Sequence, residues 1–272
     1  MPTIDSTGYT VDAITTPTNQ LLTWDSSEST RTPVAARAHA GQFSTIPVTS
    51  DGRIVGTIQS DALSAGGGPE PLAADSIIAS DTPILKLLSL FAANAEKVYL
   101  VLKETEFIGM VAPADLNKIP ARASVYLLTA RFEEALMRLI SSTSDDNEDA
   151  YIAYLSDDRR QKLEDSRSRD RANDIHLDPI NYLYLNDLTA IVAKEPKFCD
   201  VLGLPTEDID CSHTQRKDRL SVSTVRNAVS HLTKPLIHER GDLVKVNSDC
   251  QRMIWLSDRI DAHIQQRQSA KV

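Results

Sequence analysis

The chain has 272 residues, a net charge of −9 from 29 Lys+Arg against 38 Asp+Glu, and 41% hydrophobic residues. That length suits two domains, and the apolar content argues against global disorder. The acidic balance argues against a surface coated for nucleic acid, DNA in particular, or for anionic membrane. No apolar run approaches the ~18 residues of a membrane-spanning helix. The start, Met1-Pro2-Thr3-Ile4-Asp5, lacks the basic and apolar pattern of a signal peptide. Cys199, Cys211 and Cys250 are too scattered for a disulfide framework. A soluble cytoplasmic protein is expected.

Residues 1–118 read as mixed α/β, with short β-branched runs between Pro, Gly, Ser and Asp punctuation. A repeat stands out: 44–63 aligns without gaps on 97–116, an offset of 53. Each copy predicts a strand, a turn (Asp51-Gly52 in the first), a second strand holding Gly56 or Gly109, and an acidic-Leu ending. A helix opening at Pro83 precedes the second copy, and the Ala-rich stretch Thr32 to Gly41 predicts one before the first. Ser64 to Pro71, with Gly66-Gly67-Gly68, reads as the flexible joint. That glycine run lacks the Lys-Ser/Thr and helix opening of a phosphate loop.

These residues resemble a tandem pair of cystathionine-β-synthase-type (CBS) domains over roughly residues 9–120. The resemblance implies a β-α-β-β-α unit used twice, and an Asp that holds the ribose of an adenosine nucleotide (AMP, ADP or ATP-like) as a regulatory ligand. Gly109, Asp115 and Leu116 match the family's motif; Ala112 stands where the family often has Thr or Ser. The first copy keeps Gly56 and Leu63, but Asp61 sits one place earlier than Asp115 requires. Asp115 either binds ribose or caps the following helix. Lys118 and Arg122 either reach a nucleotide phosphate or lie solvated at the domain junction.

From residue 119 the spacing turns helical. Ala123 to Ile140 predicts an amphipathic helix with Tyr126, Leu127, Ala130, Leu136, Leu139 and Ile140 on its apolar stripe. A loop over 141–147 leads to a charged helix over 148–171. Asp178-Pro179 opens another helix, which Pro196 ends, and 248–268 forms the last, with Met253, Leu256, Ile260 and Ile264 inward. The fold class is α+β: a repeated module over 1–120, then an all-α bundle over 121–272.

The locally basic stretch is 213–240, with six Lys and Arg against Asp218 and Glu239, and with His213, His231 and His238. Within it, Leu220 to Lys234 predicts a helix capped by Ser221 and stopped by Pro235. Val225, Ala228, Val229 and Leu232 share one face; Asn227, Ser230, His231 and Lys234 share the other, with Arg226 at its margin. Asn227 and His231 are i, i+4 neighbours, whereas Arg226 and His231 diverge on one helix by roughly 140°. Two helix copies about a two-fold axis would bring Arg226 of one to His231 of the other.

This pattern resembles the Arg-x(4–6)-His motif of HEPN domains, all-α dimers that include metal-independent ribonucleases. It is specific at Arg226, Asn227 and His231. The resemblance implies a homodimer acting on RNA through the RNA's own 2′-hydroxyl, leaving 2′,3′-cyclic phosphate ends. His231 would serve as general base or acid, Arg226 would hold the phosphate oxygens and Asn227 would orient one or the other. A toxin or defence role goes with that resemblance. The alternative is a non-catalytic nucleotide sensor whose helical domain dimerises or binds a partner or RNA, with Arg226 and His231 as plain surface residues. No metal is expected: Cys211 and His213 lie near His238 in sequence, but the paired spacing of a zinc site is missing. Trp24 and Trp255 read as packing residues.

Overall fold

The structure, a computed structural model, describes residues 8–27, 31–41, 43–142, 150–204, 213–231 and 233–270. It divides into two compact units: Met1–Ser124 with Pro235–Asn247, and Val125–Lys234 with Ser248–Val272. The division is therefore not a single cut near residue 120.

The first unit holds β1 (Thr16–Pro17), β2 (Trp24–Asp25), α1 (Arg31–Ala40), β3 (Thr45–Ser50), β4 (Arg53–Gln59), α2 (Ser60–Ser64), β5 (Glu70–Pro71), β6 (Ile77–Ala79), α3 (Ile84–Ala93), β7 (Tyr99–Lys103) and β8 (Glu106–Val111). A single-turn helix, Pro113–Asn117, follows. The 53-residue offset extends well beyond the aligned segments. It carries α1 onto α3, the start of β2 onto β6, and the bulge at Val48/Thr49 onto that at Val101/Leu102. Both hairpins turn through a left-handed residue, Asp51 at φ 49° and Glu104 at φ 53°. Asp51 is followed by Gly52 at φ 73°, the two-residue reversal that Asp-Gly favours.

Two four-stranded sheets result, ordered β2-β3-β4-β5 and β6-β7-β8-β1. Each takes its last strand from outside its own repeat. β5, which leads into the second copy, pairs with β4, and β1, which leads into the first, pairs with β8. The partners at these seams are Gly56 with Pro71 and Gly109 with Pro17. A Cβ on Gly56 would stand 2.2 Å from the Glu70 carbonyl oxygen, and one on Gly109 2.1 Å from that of Thr16. Only glycine lets the outer strand lie so close. The stretch expected to be a flexible joint thus contains a sheet edge.

The period-2 pattern puts Ile46, Val48 and Ile58 into a core with Trp24, Val34, Ala38 and Leu63. The second repeat buries Ile84, Leu87, Leu88 and Phe91 of α3 and Tyr99, Leu100, Val101 and Val111 of its strands, with the Phe91 and Tyr99 rings 5.5 Å apart. Asn117 ties the returning segment to this unit. Its Oδ1 accepts from the backbone N–H groups of Leu236 (2.7 Å) and Ile237 (2.9 Å), and its Nδ2 donates to the Ile237 carbonyl (2.8 Å).

Beyond residue 118 every described element is helical. They are α4 (Ile119–Ser142), α5 (Asp157–Arg171), α6 (Leu185–Lys194), α7 (Pro196–Leu202), α8 (His213–Leu220), α9 (Ser223–Ser230) and α10 (Arg240–Ala270), with single turns at Ala150–Tyr154 and Pro179–Tyr182. Several expectations are corrected. On α4 the buried stripe is Val125, Leu128, Phe132, Leu136, Leu139 and Ile140, while Tyr126 and Leu127 are exposed. The run Tyr126-Leu127-Leu128 offers apolar side chains on adjacent positions, so spacing alone does not fix the phase. Pro196 opens α7 as well as closing α6, because its missing N–H is harmless in a first turn. The charged helix starts at Asp157 behind the cap Ser156, and the last begins eight residues earlier than expected, at Arg240 rather than 248. There Asp242 accepts from the backbone N–H groups of His238 (2.8 Å) and Glu239 (3.0 Å), which holds its carboxyl below the usual range. Residues 143–147 of the expected loop, Cys211 and Leu232 lie outside the described residues.

The seams make a direct prediction for urea unfolding. Gly109→Ala should lose about 3 kcal/mol, because the new methyl meets backbone rather than a movable side chain. Gly52→Ala, with nothing within 4 Å of its Cβ position but a φ of +73°, should lose only about 1 kcal/mol. Equal losses would contradict the strand-closure account.

Candidate functional site

In the first unit Asp115 occupies the third position of the turn Pro113–Asn117. Its Oδ2 accepts from the Ala112 backbone N–H at 2.7 Å, closing the turn onto its own start. Its Oδ1 meets Lys118 Nζ at 2.8 Å, and the Thr16 hydroxyl stands at 3.5 Å. Lys118 also donates to the Ile14 carbonyl at 2.7 Å and to Thr16 Oγ1 at 3.1 Å. Asp115, Lys118 and Thr16 therefore form one connected group beside the β1–β8 seam. Arg122 is buried, 4% exposed, rather than solvated. Asp61 is exposed on the first turn of α2, and Ala62 takes the place equivalent to Asp115. A separate cleft of about 200 Å³ draws on both repeats, with Thr57 and Gln59 facing Lys97, Leu100 and Met110. None of the four residues singled out by sequence lines it.

In the second unit α9 is shorter than expected. It begins at Ser223 with Val222, not Ser221, as N-cap, and it ends at Ser230. His231 has φ −115° and ψ 96°, an extended conformation outside the helix. His231 is therefore the C-cap and not a helical residue of α9. Ser, His and Thr are weak helix formers, and Pro235 disfavours helix just ahead of it, so the last turn is not held. His231 is exposed.

Arg226 and Asn227 do come together with other residues. They line a cleft of about 500 Å³ with Arg159 and Lys162 of α5 and Tyr184, Asn186 and Asp187 at the start of α6. Three cations there face one carboxylate. His231 is not among the described residues that line it. Arg226 Nη1 donates to Asn227 Oδ1 at 3.4 Å. Arg159 is fixed from three sides: its Nε donates to Asp187 Oδ2 at 2.7 Å, its Nη2 to the Tyr182 carbonyl at 2.6 Å, and its guanidinium lies 4.7 Å from the Tyr184 ring centre. Asp187 Oδ2 also accepts from the Tyr184 backbone N–H at 2.9 Å, so one carboxylate both caps α6 and orients Arg159. Lys162 pairs with Asp158 at 2.7 Å on an exposed surface, a weak and exchangeable contact.

Sequence reasoning missed Arg159, Lys162, Tyr184 and Asn186. The Tyr184-x-x-Asp187 spacing signals only a helix start, and α5 is so uniformly charged that no single Arg stands out. Among the described residues no group of three His, Cys, Asp or Glu side chains is placed to hold a metal. Cys199 and Cys250 are buried and, among the described residues, form no disulfide. Burial, with Asp249 nearby, pushes the Cys250 thiol up to about 12, which removes it as a nucleophile near neutrality.

No protein-family model and no curated protein sequence matches the chain. Solved structures similar to it include CBS-domain proteins. CBSX2 in complex with AMP is 18% identical, covering 44% of this chain and 98% of its own, at a TM-score of 0.36. The CBS domain of a bacterial CNNM/CorC-family Mg2+ transporter in complex with ATP is 19% identical, covering 40% and 84%, at 0.34. A CBS-domain pair with bound AMP from Klebsiella pneumoniae is 18% identical, covering 40% and 94%, at 0.32. No helix among the described residues is long and apolar enough to cross a membrane.

Glu133 of α4 is half-buried beside Arg226. Burial raises its carboxyl above the ordinary value, and the Arg226 charge opposes this. Such a group stabilises the fold while protonated and loses that contribution as pH rises through its folded value. Glu133→Gln should therefore raise Tm at pH 7, on the order of 2 °C. It should leave Tm unchanged near pH 3.5, below the ordinary glutamate value of about 4.3. Calorimetry at the two pH values checks this; the same difference at both would refute it.

Proposed function

We propose that the first unit senses an adenosine nucleotide and that the second binds RNA and cleaves it, without metal, as a homodimer. The observation that supports the RNA reading is the 500 Å³ cleft in which Arg226 and Asn227 stand with Arg159 and Lys162. Such a set suits phosphate oxygens: the Arg226 guanidinium offers planar paired donors and Lys162 a mobile point charge. In the proposed reaction His231 takes the proton of a ribose 2′-hydroxyl and that oxygen attacks the adjacent phosphorus. The P–O5′ bond breaks, leaving a 2′,3′-cyclic phosphate, and the departing 5′-oxygen takes up a proton. Arg226 stabilises the extra charge on the phosphorus oxygens. Because His231 is not among the lining residues of its own cleft, it would act on the cleft of the second copy. In the first unit, Asp115 and Lys118 beside β1 are the groups proposed to meet ribose and phosphate; Asp61 and Arg122 are the less favoured pair, one exposed and the other buried.

A second reading, an RNA-binding or partner-binding sensor without turnover, is favoured by the extended conformation of His231. The two separate on labelled RNA in EDTA. Cleavage that falls at least 100-fold in both Arg226→Ala and His231→Ala supports the nuclease. Intact RNA bound by the wild type and weakened only by Arg226→Ala supports the second reading. For the first unit, Asp115→Asn should weaken AMP or ATP binding in calorimetry about tenfold; an unchanged affinity would leave Asp115 as a helix cap alone.

A further inference from the structure

We infer that Tyr184 is a stacking platform for one unpaired base, so that the cleft of the second unit takes single-stranded RNA and rejects duplex. This rests on the reading of that cleft as an RNA site. Tyr184 is 67% exposed, unusual for so large a ring, yet it is not loose. Its backbone N–H is held by Asp187 Oδ2 at 2.9 Å, and the Arg159 guanidinium packs 4.7 Å from its ring centre. Arg159 is in turn locked by Asp187 and by the Tyr182 carbonyl, with its side chain 17% exposed. The ring is thus oriented by a buttress that is itself immobilised, and the rest of its surface stays open to the cleft it lines.

A flat, preorganised aromatic face beside cations is what a free base seeks. Stacking supplies ~1–3 kcal/mol per base and tolerates any sequence, since every base has a π-face. The carboxamides of Asn186 and Asn227 line the same cleft and offer both donors and acceptors to a base edge, while Arg226 and Lys162 supply charge for the adjoining phosphates. The volume of about 500 Å³ lies within the ordinary range for ligand sites. In a duplex both faces of each base are already covered by neighbours, so Tyr184 has nothing to stack on.

The test is fluorescence anisotropy of the full chain with a fluorescein-labelled 12-nucleotide RNA, single-stranded and annealed to its complement. The wild type should bind the single strand at least tenfold more tightly than the duplex. Tyr184→Ala and Tyr184→Leu should each lose about tenfold on the single strand and little on the duplex, Tyr184→Phe should stay within twofold of wild type, and Arg226→Ala should weaken both RNAs. Using Leu, which keeps apolar bulk without a flat face, guards against a folding defect in the Ala variant. Single-strand binding unchanged in both Tyr184→Ala and Tyr184→Leu, but lost in Arg226→Ala, overturns the stacking role and leaves the RNA reading standing. Equal losses on both RNAs in the Tyr184 variants also overturn it. No wild-type affinity for either RNA overturns both.

Discussion

The first unit depends on two places where a side chain is forbidden. At Gly56 and Gly109 an outer strand lies against the sheet so closely that a Cβ would stand near 2 Å from its carbonyl oxygen. Because β5 precedes the second repeat yet closes the sheet of the first, and β1 does the reverse, neither repeat completes its sheet alone. The pair is a single folding unit for that reason, although its sequence reads as two copies of one motif. The same arrangement sets the candidate ligand group, since β1 brings Thr16 beside Asp115 and Lys118.

In the second unit a comparable role falls to a single carboxylate. Asp187 closes the start of α6 and clamps Arg159, and Arg159 in turn backs the Tyr184 ring. Arg159, distant in sequence, is thereby held with its neighbours Tyr184 and Asp187 as one surface, with Arg226 and Asn227 of α9 on the same cleft. A surface held by paired, partly buried groups loses little conformational freedom when a ligand arrives, which favours binding.

The position of His231 bears most directly on catalysis. A helix running to Lys234 would have placed it over Asn227; the observed end at Ser230 turns it out into an extended segment. General acid–base chemistry needs the imidazole within hydrogen-bond reach of the reacting hydroxyl. Its exposed place past α9 keeps it off the described lining of its own cleft. Arg226, by contrast, lies on α9 and lines that cleft.

The repeated module was legible because its signals are local. Asp51-Gly52 dictates a reversal, alternating Ile46, Val48 and Ile58 dictate a strand, and Pro83 dictates a helix start, all within a few residues. The helical character of the second unit was legible for the same reason, as was a helix carrying Arg226 and Asn227. Tertiary structure alone decided the rest. Which residues of α4 face inward depends on what packs there, and the strand within Ser64 to Pro71 exists only because β4 offers it partners. Arg159 and Tyr184 became site residues through Asp187, a contact spanning 28 positions for the arginine. Sequence determines what each short segment prefers; contacts between distant segments, each too weak to show in the local pattern, determine where the groups meet.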